Sequence, residues 1–363
     1  MFSATDYSFM SHALRLAEQG LYSTTPNPRV GCVIVRDGQI VGSGWHVKVG
    51  QPHAEINALT DAGAAARGAT VYVTLEPCSH HGRTPPCVDA LIAAGIARVV
   101  IAMEDPNPLV SGCGCALLQQ AGIIVQIGLL QAEAHALNAG FISRMMRKKP
   151  WVRLKIAASL DGKTTLNNGV SQWITGEAAR LDGHHWRARS CAVMTGIGTV
   201  ESDNPQLTVR HIKTDRQPKK IVVDSRLVIP LDARVLQDGE ETFIFTAQIG
   251  NPEKKAALNQ RNVRVMVLPN ADGSVDLQKM MATLADLEIN EVLVEAGGRL
   301  NGALVEAGLV DELIIYLAPH LIGDNALGMI KLQELKCLEQ KRKLNIQDIR
   351  MVGQDIRLIA NFL

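Results

Sequence analysis

Residues 52–87 read PHAEINALTDAGAAARGATVYVTLEPCSHHGRTPPC, and this stretch decides the fold of the N-terminal part. It predicts a helix over 53–62, a strand over 70–75 and a second helix that begins at Cys87. Strand-like and helix-like segments alternate on both sides of it, and a hairpin turn is predicted at Asp37-Gly38. Continuous apolar strands between helices indicate an α/β domain whose sheet is covered on both faces.

Three side chains of this stretch have the chemistry of a metal site. The thiolates of Cys78 and Cys87 and the imidazole of His53 are ligands that zinc prefers, and three protein ligands leave a fourth position open for water. The metal lowers the pKa of that water, and Glu55 is suited to carry its proton. His-x-Glu followed by Pro-Cys and a further Cys is typical of zinc-dependent deaminases. The sequence therefore predicts hydrolytic deamination of a nucleobase-like ring.

Plainer explanations exist for the same residues. His53 can cap a helix while Cys78 and Cys87 are small buried side chains, or the zinc can be structural and closed by a fourth protein ligand. Nucleoside deaminases commonly carry Pro-Cys-x-x-Cys, whereas here the insert 79–86 separates the cysteines, and it contains two possible competing ligands, His80 and His81. A structural site has no need of Glu55, which favours a catalytic one.

Composition indicates which kind of substrate the protein binds and in which cellular compartment it is found. The chain has 363 residues and a net charge of +1, with no long basic run, so a small substrate is favoured over a nucleic acid. No apolar window approaches eighteen residues, and the N-terminus lacks the pattern of a signal peptide, so we expect a cytoplasmic protein without a membrane segment. The seven cysteines indicate metal binding or burial rather than a disulfide framework.

A polar, charged stretch over 144–150 predicts the boundary between a domain at 1–146 and a domain at 151–363. The second domain is another α/β series. No Gly-x-Gly-x-x-Gly opens it, which argues against a Rossmann dinucleotide site. Gly297-Gly298 leads from a strand into a helix whose first amides can hold a pyrophosphate, although on these residues alone a simple turn is the better explanation.

Seven short motifs extend over nearly the whole chain: PHAE at 52–55, EPCSHHGRTPPC at 76–87, EDPNP at 104–108, KIAASLDGK at 155–163, SQWIT at 171–175, DNPQLTVR at 203–210 and EAGG at 295–298. Together they resemble the bifunctional riboflavin-biosynthesis deaminase/reductase family, whose own pattern includes the long insert between the cysteines. The resemblance implies an α/β fold with an N-terminal cytidine-deaminase-like three-layer α/β/α domain and a C-terminal dihydrofolate-reductase-like α/β domain.

The resemblance also implies two consecutive reactions, with Zn²⁺ and NADPH as cofactors. Water first removes the 2-amino group of 2,5-diamino-6-(5-phosphoribosylamino)pyrimidin-4-one, and NADPH then reduces the ribosyl group to ribityl. In the zinc domain it implies a substrate site formed by Asn27, His46, Asp105 and Asn107, with Arg83 at the 5′-phosphate. A turn alone can explain the two asparagines, because both lie in Pro-Asn-Pro contexts, and Arg83 can be a solvated loop residue.

In the second domain the resemblance implies two sets of residues and a catalytic pair. Lys155 and Asp203 are expected nearest the ribose carbon that receives hydride, although Lys155 can equally be an exposed lysine at a strand end. The substrate residues are Ser171, Arg187, Leu207, Arg210 and Glu295, with both arginines suited to the phosphate. The NADPH residues are Ala157, Trp173, Thr199, Asp203, Ser225, Gly297, Gly298, Arg299, Leu300, Asn301, Gly302 and Ala303, of which Trp173 can instead belong to the core.

Several alternatives stay open at this point. The chain can be a zinc deaminase of another nucleoside, nucleotide or tRNA base with a non-catalytic C-terminal domain, a zinc-stabilised scaffold, or a deaminase whose reductase half has degenerated. Cys113 and Cys115 stand where the family often has arginine, and we interpret them as structural thiols. We expect a homo-oligomer, because enzymes of this kind are commonly symmetric assemblies.

Overall fold

The computed structural model of the protein describes residues 1–79, 86–108, 110–248 and 250–363. The chain divides into two compact units, Met1–Lys148 and Lys149–Leu363. Among the described residues, no helix is long and apolar enough to cross a membrane.

The first unit is built on a five-stranded sheet of order β2-β1-β3-β4-β5. β1 is antiparallel to β2 and β3, whereas β3, β4 and β5 are parallel. Asp37 and Gly38 both have positive φ, which confirms the predicted hairpin turn. The strands are β1 (Gly31–Arg36), β2 (Gln39–Trp45), β3 (Thr70–Val73), β4 (Arg98–Ile101) and β5 (Ile124–Ile127).

Helices cover both faces of this sheet. Gly31 of β1 lies against α1, since a Cβ there would be 2.0 Å from the Ala13 carbonyl oxygen, whereas Gly42 and Gly44 of β2 lie against α2. Gly31 and Gly44 point to opposite faces because Gly44 is paired with Cys32. The helices are α1 (Ala4–Glu18), α2 (Ala54–Ala62), α3 (Cys87–Ala93), α4 (Cys113–Gln120), α5 (Gln131–Leu137) and α6 (Ala139–Arg147), with a 3₁₀ turn at Gly63–Ala66.

The second unit contains a nine-stranded sheet of order β11-β10-β9-β8-β12-β6-β13-β16-β15. The first seven strands in this order are parallel, and β16 and β15 extend the sheet antiparallel at one edge. A two-stranded sheet pairs β7 with β14. The strands are β6 (Trp151–Ser159), β7 (Lys163–Thr165), β8 (Ala192–Gly196), β9 (Lys219–Val223), β10 (Thr242–Thr246), β11 (Val263–Val267), β12 (Glu291–Val294), β13 (Glu312–Ala318), β14 (Leu327–Gly328), β15 (Leu344–Val352) and β16 (Asp355–Phe362).

Two apolar cores lie on opposite faces of the large sheet. Ala192 and Met194 of β8 belong to one core and Val193 to the other, as the period of two in a strand requires. This explains why the central strands read as continuous apolar runs in the sequence. The helices are α7 (Glu177–Arg189), α8 (Ile197–Asp203), α9 (Pro252–Asn259), α10 (Leu277–Asp286) and α11 (Gly298–Glu306).

The close contact between β2 and α2 can be tested at Gly42. A Cβ on Gly42 would lie 2.3 Å from the Ala58 carbonyl oxygen, so Gly42→Ala forces α2 away from the sheet. We expect the free energy of opening of α2, measured by hydrogen exchange of its amides, to fall by about 1–3 kcal/mol. Gln39→Ala, at an exposed position of the same strand, should change it by less than about 0.5 kcal/mol. Equal exchange rates in the two variants would contradict the close contact.

Candidate functional site

The three predicted zinc ligands converge from three separate segments. His53 immediately precedes α2, Cys87 is the first residue of α3, and Cys78 follows β3. Their ligand atoms all lie within 4.8 Å of one another. His53 Nδ1 is 3.5 Å from Cys78 Sγ and 3.3 Å from Cys87 Sγ. A tetrahedral zinc ion separates its sulfur and nitrogen ligands by about 3.5 Å, so the donor set and its spacing fit zinc.

Hydrogen bonds favour the thiolate form of Cys78. The largest cause that lowers the pKa of Cys78 is a hydrogen bond from Cys87, and His53 also contributes a hydrogen bond. The Cys87 amide also donates to Cys78 Sγ at 3.3 Å. His53 occupies the N-cap position of α2 without a capping hydrogen bond from its side chain, so its imidazole points to the thiols instead.

Glu55 lies in the first turn of α2 and is buried, with 3% of its surface exposed. Burial raises the pKa of its carboxyl to about 6. A carboxyl with a pKa near neutrality can both accept and return a proton at physiological pH, as a general acid and base must.

His46 and Asn27 form a pair beside the zinc ligands. The His46 ring meets the His53 ring edge to face, with 5.4 Å between ring centroids. His46 Nδ1 donates to the Pro52 carbonyl at 3.2 Å, and Asn27 Nδ2 donates to His46 Nε2 at 3.1 Å. This pattern requires a neutral imidazole, which agrees with the lowering of the His46 pKa by burial.

Asp105 and Asn107 lie on the segment that follows β4. The backbone N–H of Asn107 donates to Asp105 Oδ1 at 2.8 Å, and the backbone N–H of Asp105 donates to Glu76 Oε2 at 3.1 Å. Sequence reasoning assigned no role to Glu76; the only signal for it was its place in the Glu-Pro-Cys run before Cys78. Arg83, His80 and His81 lie outside the described residues. Within the described part of the chain, His53, Cys78 and Cys87 form the one candidate metal cluster, which contains neither Cys113 nor Cys115.

In the second unit, a half-buried carboxylate contacts two cations at the end of β12. Glu295 Oε1 accepts from Arg187 Nε at 2.6 Å, Glu295 Oε2 accepts from Arg187 Nη2 at 2.9 Å, and Lys155 Nζ is 3.7 Å from Glu295 Oε2. Burial alone would raise the pKa of Glu295, but Arg187 and Lys155 outweigh it and lower the pKa to about 2. Lys155 is 18% exposed and lies inside β6, so the interpretation as an exposed strand-end lysine is wrong.

Arg187 and Arg210 are not equivalent. Arg187 also donates from Nη1 to the Thr208 carbonyl at 3.0 Å, so three of its five N–H groups are engaged by the protein. Arg210 is exposed, and its Nη1 donates to Gln206 and Thr208. The Arg210 amide donates to His184 Nδ1 at 3.0 Å, a contact that sequence reasoning missed because nothing in the motif marks this histidine.

Two predicted substrate residues remain, the polar Ser171 and the apolar Leu207. Ser171 Oγ donates to Asp203 Oδ1 at 3.1 Å, which joins the end of α8 to the segment before α7. Leu207 is 2% exposed and its side chain belongs to one of the apolar cores, so it presents no side chain to a ligand. Trp173 is 69% exposed with the Arg180 guanidinium over its ring, so the interpretation of Trp173 as a core residue is wrong.

The predicted cofactor segment 297–303 begins α11. Gly297 is exposed at the N-cap, where it offers no side chain, and a Cβ there would be 3.8 Å from Thr199 Oγ1. Uncapped amides at this helix start fit a pyrophosphate, as NADPH requires. Arg299 and Ala303 are exposed, and Ala157 and Ser225 are half-buried.

Two residues of this segment serve its own packing. Asn301 is buried and its Nδ2 donates to the Met329 carbonyl at 2.9 Å. A Cβ on Gly302 would lie 1.8 Å from the Lys331 carbonyl oxygen, so backbone covers this position. Leu300 approaches Gly196 at the end of β8. The half of the segment that is not engaged in this packing is therefore its beginning.

Comparison with known proteins places both units in one family. The family model of the RibD C-terminal domain matches residues 150–358, and that of the cytidine and deoxycytidylate deaminase zinc-binding region matches residues 3–103. The riboflavin biosynthesis protein RibD of Escherichia coli is 49% identical over 97% of this chain and 98% of its own length, and that of Haemophilus influenzae is 42% identical over 98% and 97%.

Solved structures agree over the full length. RibD of Acinetobacter baumannii superposes with a TM-score of 0.92 at 44% identity and covers 99% of both chains. A diaminohydroxyphosphoribosylaminopyrimidine deaminase/5-amino-6-(5-phosphoribosylamino)uracil reductase of Thermotoga maritima superposes with a TM-score of 0.88 at 33% identity, again over 99% of both chains. The expected α/β fold, with a cytidine-deaminase-like first domain and a reductase domain after it, is confirmed. The chain therefore belongs to the RibD family, the bifunctional deaminases and reductases of riboflavin biosynthesis.

Proposed function

We propose that the first unit hydrolytically deaminates 2,5-diamino-6-(5-phosphoribosylamino)pyrimidin-4-one and that the second unit then reduces the ribosyl side chain of the product to ribityl with NADPH. The observation that carries the proposal is the convergence of His53, Cys78 and Cys87 beside the buried Glu55, in a chain whose second half matches the RibD C-terminal domain. The cofactors are zinc and NADPH.

Glu55 is the proton carrier of the deamination. Zinc supplies the Lewis acid that activates the attacking water. Glu55 accepts a proton from water as its oxygen adds to the ring carbon that bears the amino group, and gives that proton to the adjacent ring nitrogen. Glu55 then takes the proton of the new hydroxyl group and gives it to the departing amine. The carbon–nitrogen bond breaks, ammonia leaves and a carbonyl remains. The pKa of about 6 suits these transfers.

The neutral imidazole of His46 and the amide of Asn27 form one side of the pyrimidine site, and Asp105 and Asn107 form another. The hydrogen bonds from the Asn27 side chain to His46 and from the Asn107 backbone N–H to Asp105 support this arrangement, because they orient the His46 ring and the Asp105 carboxylate before substrate arrives. Arg83 remains a predicted phosphate ligand.

In the reductase unit, NADPH supplies the hydride for the ribose carbon. Lys155 lies beside Glu295, which keeps a positively charged donor next to a carboxylate where the sugar ring opens. Lys155 donates the proton that opening requires, and Asp203, held by Ser171, orients the sugar hydroxyls. Arg210, the more exposed arginine, binds the substrate phosphate, while Arg187 mainly orients Glu295.

A zinc deaminase of another base with a non-catalytic second domain is less well supported. The cluster of Lys155, Arg187 and Glu295 places three half-buried charged groups at the carboxyl end of β12, where α/β sheets bind ligands, and a purely structural domain gains little from it. The net charge of +1 favours a small phosphorylated pyrimidine over a nucleic acid. Zinc-binding thiols must stay reduced, which supports a cytoplasmic location.

A second copy of the chain is the partner we propose for the edge strand β15. The β-bulge between Ile346 and Asp348 keeps Leu344, Ile346, Ile349 and Met351 on one face of the sheet, where they are 39%, 54%, 58% and 62% exposed. This face continues from the apolar core at Leu313 through Leu358 to the edge. An apolar surface continuous with a core is typical of the interface of a homo-oligomer.

The two activities are tested together by supplying the diaminopyrimidinone to zinc-loaded protein and following ammonia and NADPH absorbance. We expect ammonia first and NADPH consumption second. Glu55→Gln should slow ammonia release by roughly 10²–10⁴-fold while it keeps its zinc, whereas Cys87→Ser should lose the zinc. Both variants should still reduce the deaminated pyrimidinedione. Ammonia release without NADPH consumption would eliminate the reductase assignment. The absence of both signals would eliminate the diaminopyrimidinone as the substrate.

The role of Arg187 is tested by Arg187→Lys. A lysine cannot donate two parallel hydrogen bonds to Glu295 and also reach the Thr208 carbonyl, so we expect kcat/KM for the reduction to fall by about 10-fold or more with deamination unchanged. Arg189→Lys is the matched control, because Arg189 lies on the same helix and pairs with Glu291 at 3.2 Å, away from the proposed site. Equal effects of the two substitutions on the reduction would exclude Arg187 from the proposed reductase site.

The proposed interface is tested by Ile349→Lys, which places a charge on the apolar face of β15. We expect light scattering to give a multiple of the chain mass for the wild type and a smaller assembly for this variant. Asn345→Lys adds the same charge to the opposite face and should leave the assembly intact. An unchanged mass for Ile349→Lys would exclude β15 from the interface.

A further inference from the structure

Glu76 connects the zinc centre to the segment that carries two of the proposed substrate residues. It lies between β3 and Cys78, and 3% of its surface is exposed. Its amide donates to the Met103 carbonyl at 3.0 Å, which joins the ends of β3 and β4. The sheet therefore fixes the backbone of Glu76 in space relative to Cys78.

The Glu76 carboxylate accepts four backbone N–H groups. Oε2 accepts from Asp105 at 3.1 Å and from Gly112 at 3.0 Å. Oε1 accepts from Gly114 at 2.9 Å and from Cys115 at 3.2 Å. One side chain thus holds both ends of the segment between Asp105 and the first turn of α4.

This carboxylate also replaces a missing helix cap. The N-cap of α4 is Gly112, which has no side chain to satisfy the amides of the first turn. The negative charge of Glu76 at the helix start is favourable because of the helix dipole. Backbone packing adds a second constraint, since a Cβ on Gly114 would lie 2.2 Å from the Pro77 carbonyl oxygen.

The consequence reaches the proposed substrate site through Asp105. Glu76 binds the Asp105 amide, and Asp105 Oδ1 in turn accepts from the Asn107 amide at 2.8 Å. Asp105 and Asn107 are therefore held at a fixed displacement from Cys78, which is two residues from Glu76.

We propose that Glu76 is a positioning residue of the deaminase, which fixes Asp105 and Asn107 relative to the zinc ligand Cys78 and thereby aligns the pyrimidine with the activated water. This inference rests on the proposed deamination. Glu76 itself touches neither substrate nor metal in this role; it acts through the backbone of the segment from Asp105 to Cys115.

Glu76→Gln distinguishes this role from simple packing. The amide has the same shape, but its NH₂ group faces two N–H donors where a carboxylate oxygen accepted both, so that half of the contact becomes repulsive. We expect KM for the diaminopyrimidinone to rise on the order of 10- to 100-fold, the scale at which partners behind a metal site act, with kcat less affected and one zinc per chain retained. Glu133→Gln removes the same charge from an exposed position of α5 and should leave both constants unchanged.

A double-mutant cycle with Asn107→Ala supplies the readout that a structural role would not move. If Glu76 acts through Asp105 and Asn107, Glu76→Gln should cost less than about 3-fold in kcat/KM once Asn107 is alanine, since coupled residues are not additive. Gly114→Ala keeps the Glu76 side chain but pushes α4 away from the Pro77 carbonyl and from the Glu76 carboxylate, so it should give the same rise in KM and keeps the test available if Glu76→Gln does not fold.

The outcomes separate the inference from the function on which it rests. Ammonia release by the wild type, with an unchanged KM in Glu76→Gln, overturns the positioning role alone. Strictly additive losses, or zinc loss in proportion to activity, also overturn it. A wild type that releases no ammonia from the diaminopyrimidinone overturns the proposed deamination instead.

Discussion

The requirement that three zinc ligands meet within a few ångströms constrains the whole first unit. His53, Cys78 and Cys87 come from the start of α2, the end of β3 and the start of α3, so the two helices and the strand must keep one relative position. The glycines of β2 allow α2 to lie directly on the sheet, and a methyl group at Gly42 or Gly44 would overlap its backbone. Metal geometry therefore depends on glycines remote from the metal.

The second unit depends on a different constraint, the neutralisation of a half-buried carboxylate. Glu295 is stable as an anion only because Arg187 makes two parallel hydrogen bonds to it and Lys155 lies nearby. The sign of the pKa shift follows from this: the charged form is stabilised in the folded protein, so its contribution to stability is present above the ordinary pKa of 4.5 and is lost as pH falls towards 2. Across the neutral range the anion holds both cations in place.

The sequence predicted what depends on local pattern, and it failed where tertiary contacts decide. Turn chemistry predicts the hairpin at Asp37-Gly38, and periodicity predicts most strands. The residue types and their order identify His53, Glu55 and Cys78 as parts of a zinc site. Helix α4 starts at Cys113, where no capping side chain marks its start in the sequence, because the carboxylate of Glu76, remote along the chain, accepts the amides of its first turn. The charged stretch over 144–150 predicts a domain boundary, yet its first four residues complete helix α6 (Ala139–Arg147). The pairing of Arg187 with Glu295 joins residues 108 positions apart, which no local pattern can indicate.

The two ends of the large sheet carry charge for different reasons. At the amino ends of the strands, Arg153 is 2% exposed between Glu291 and Glu312, which begin β12 and β13, and this arrangement ties three neighbouring strands together.

At the carboxyl ends, Glu295 follows β12, Thr199 follows β8 and Ser225 follows β9. Parallel strands deliver such residues to one edge, where helix starts also present their amides. In the first unit, Cys78 follows β3 and Asp105 follows β4. In each unit the proposed site residues therefore lie at the carboxyl ends of parallel strands, because that edge of a sheet is where chain direction alone brings distant polar residues together.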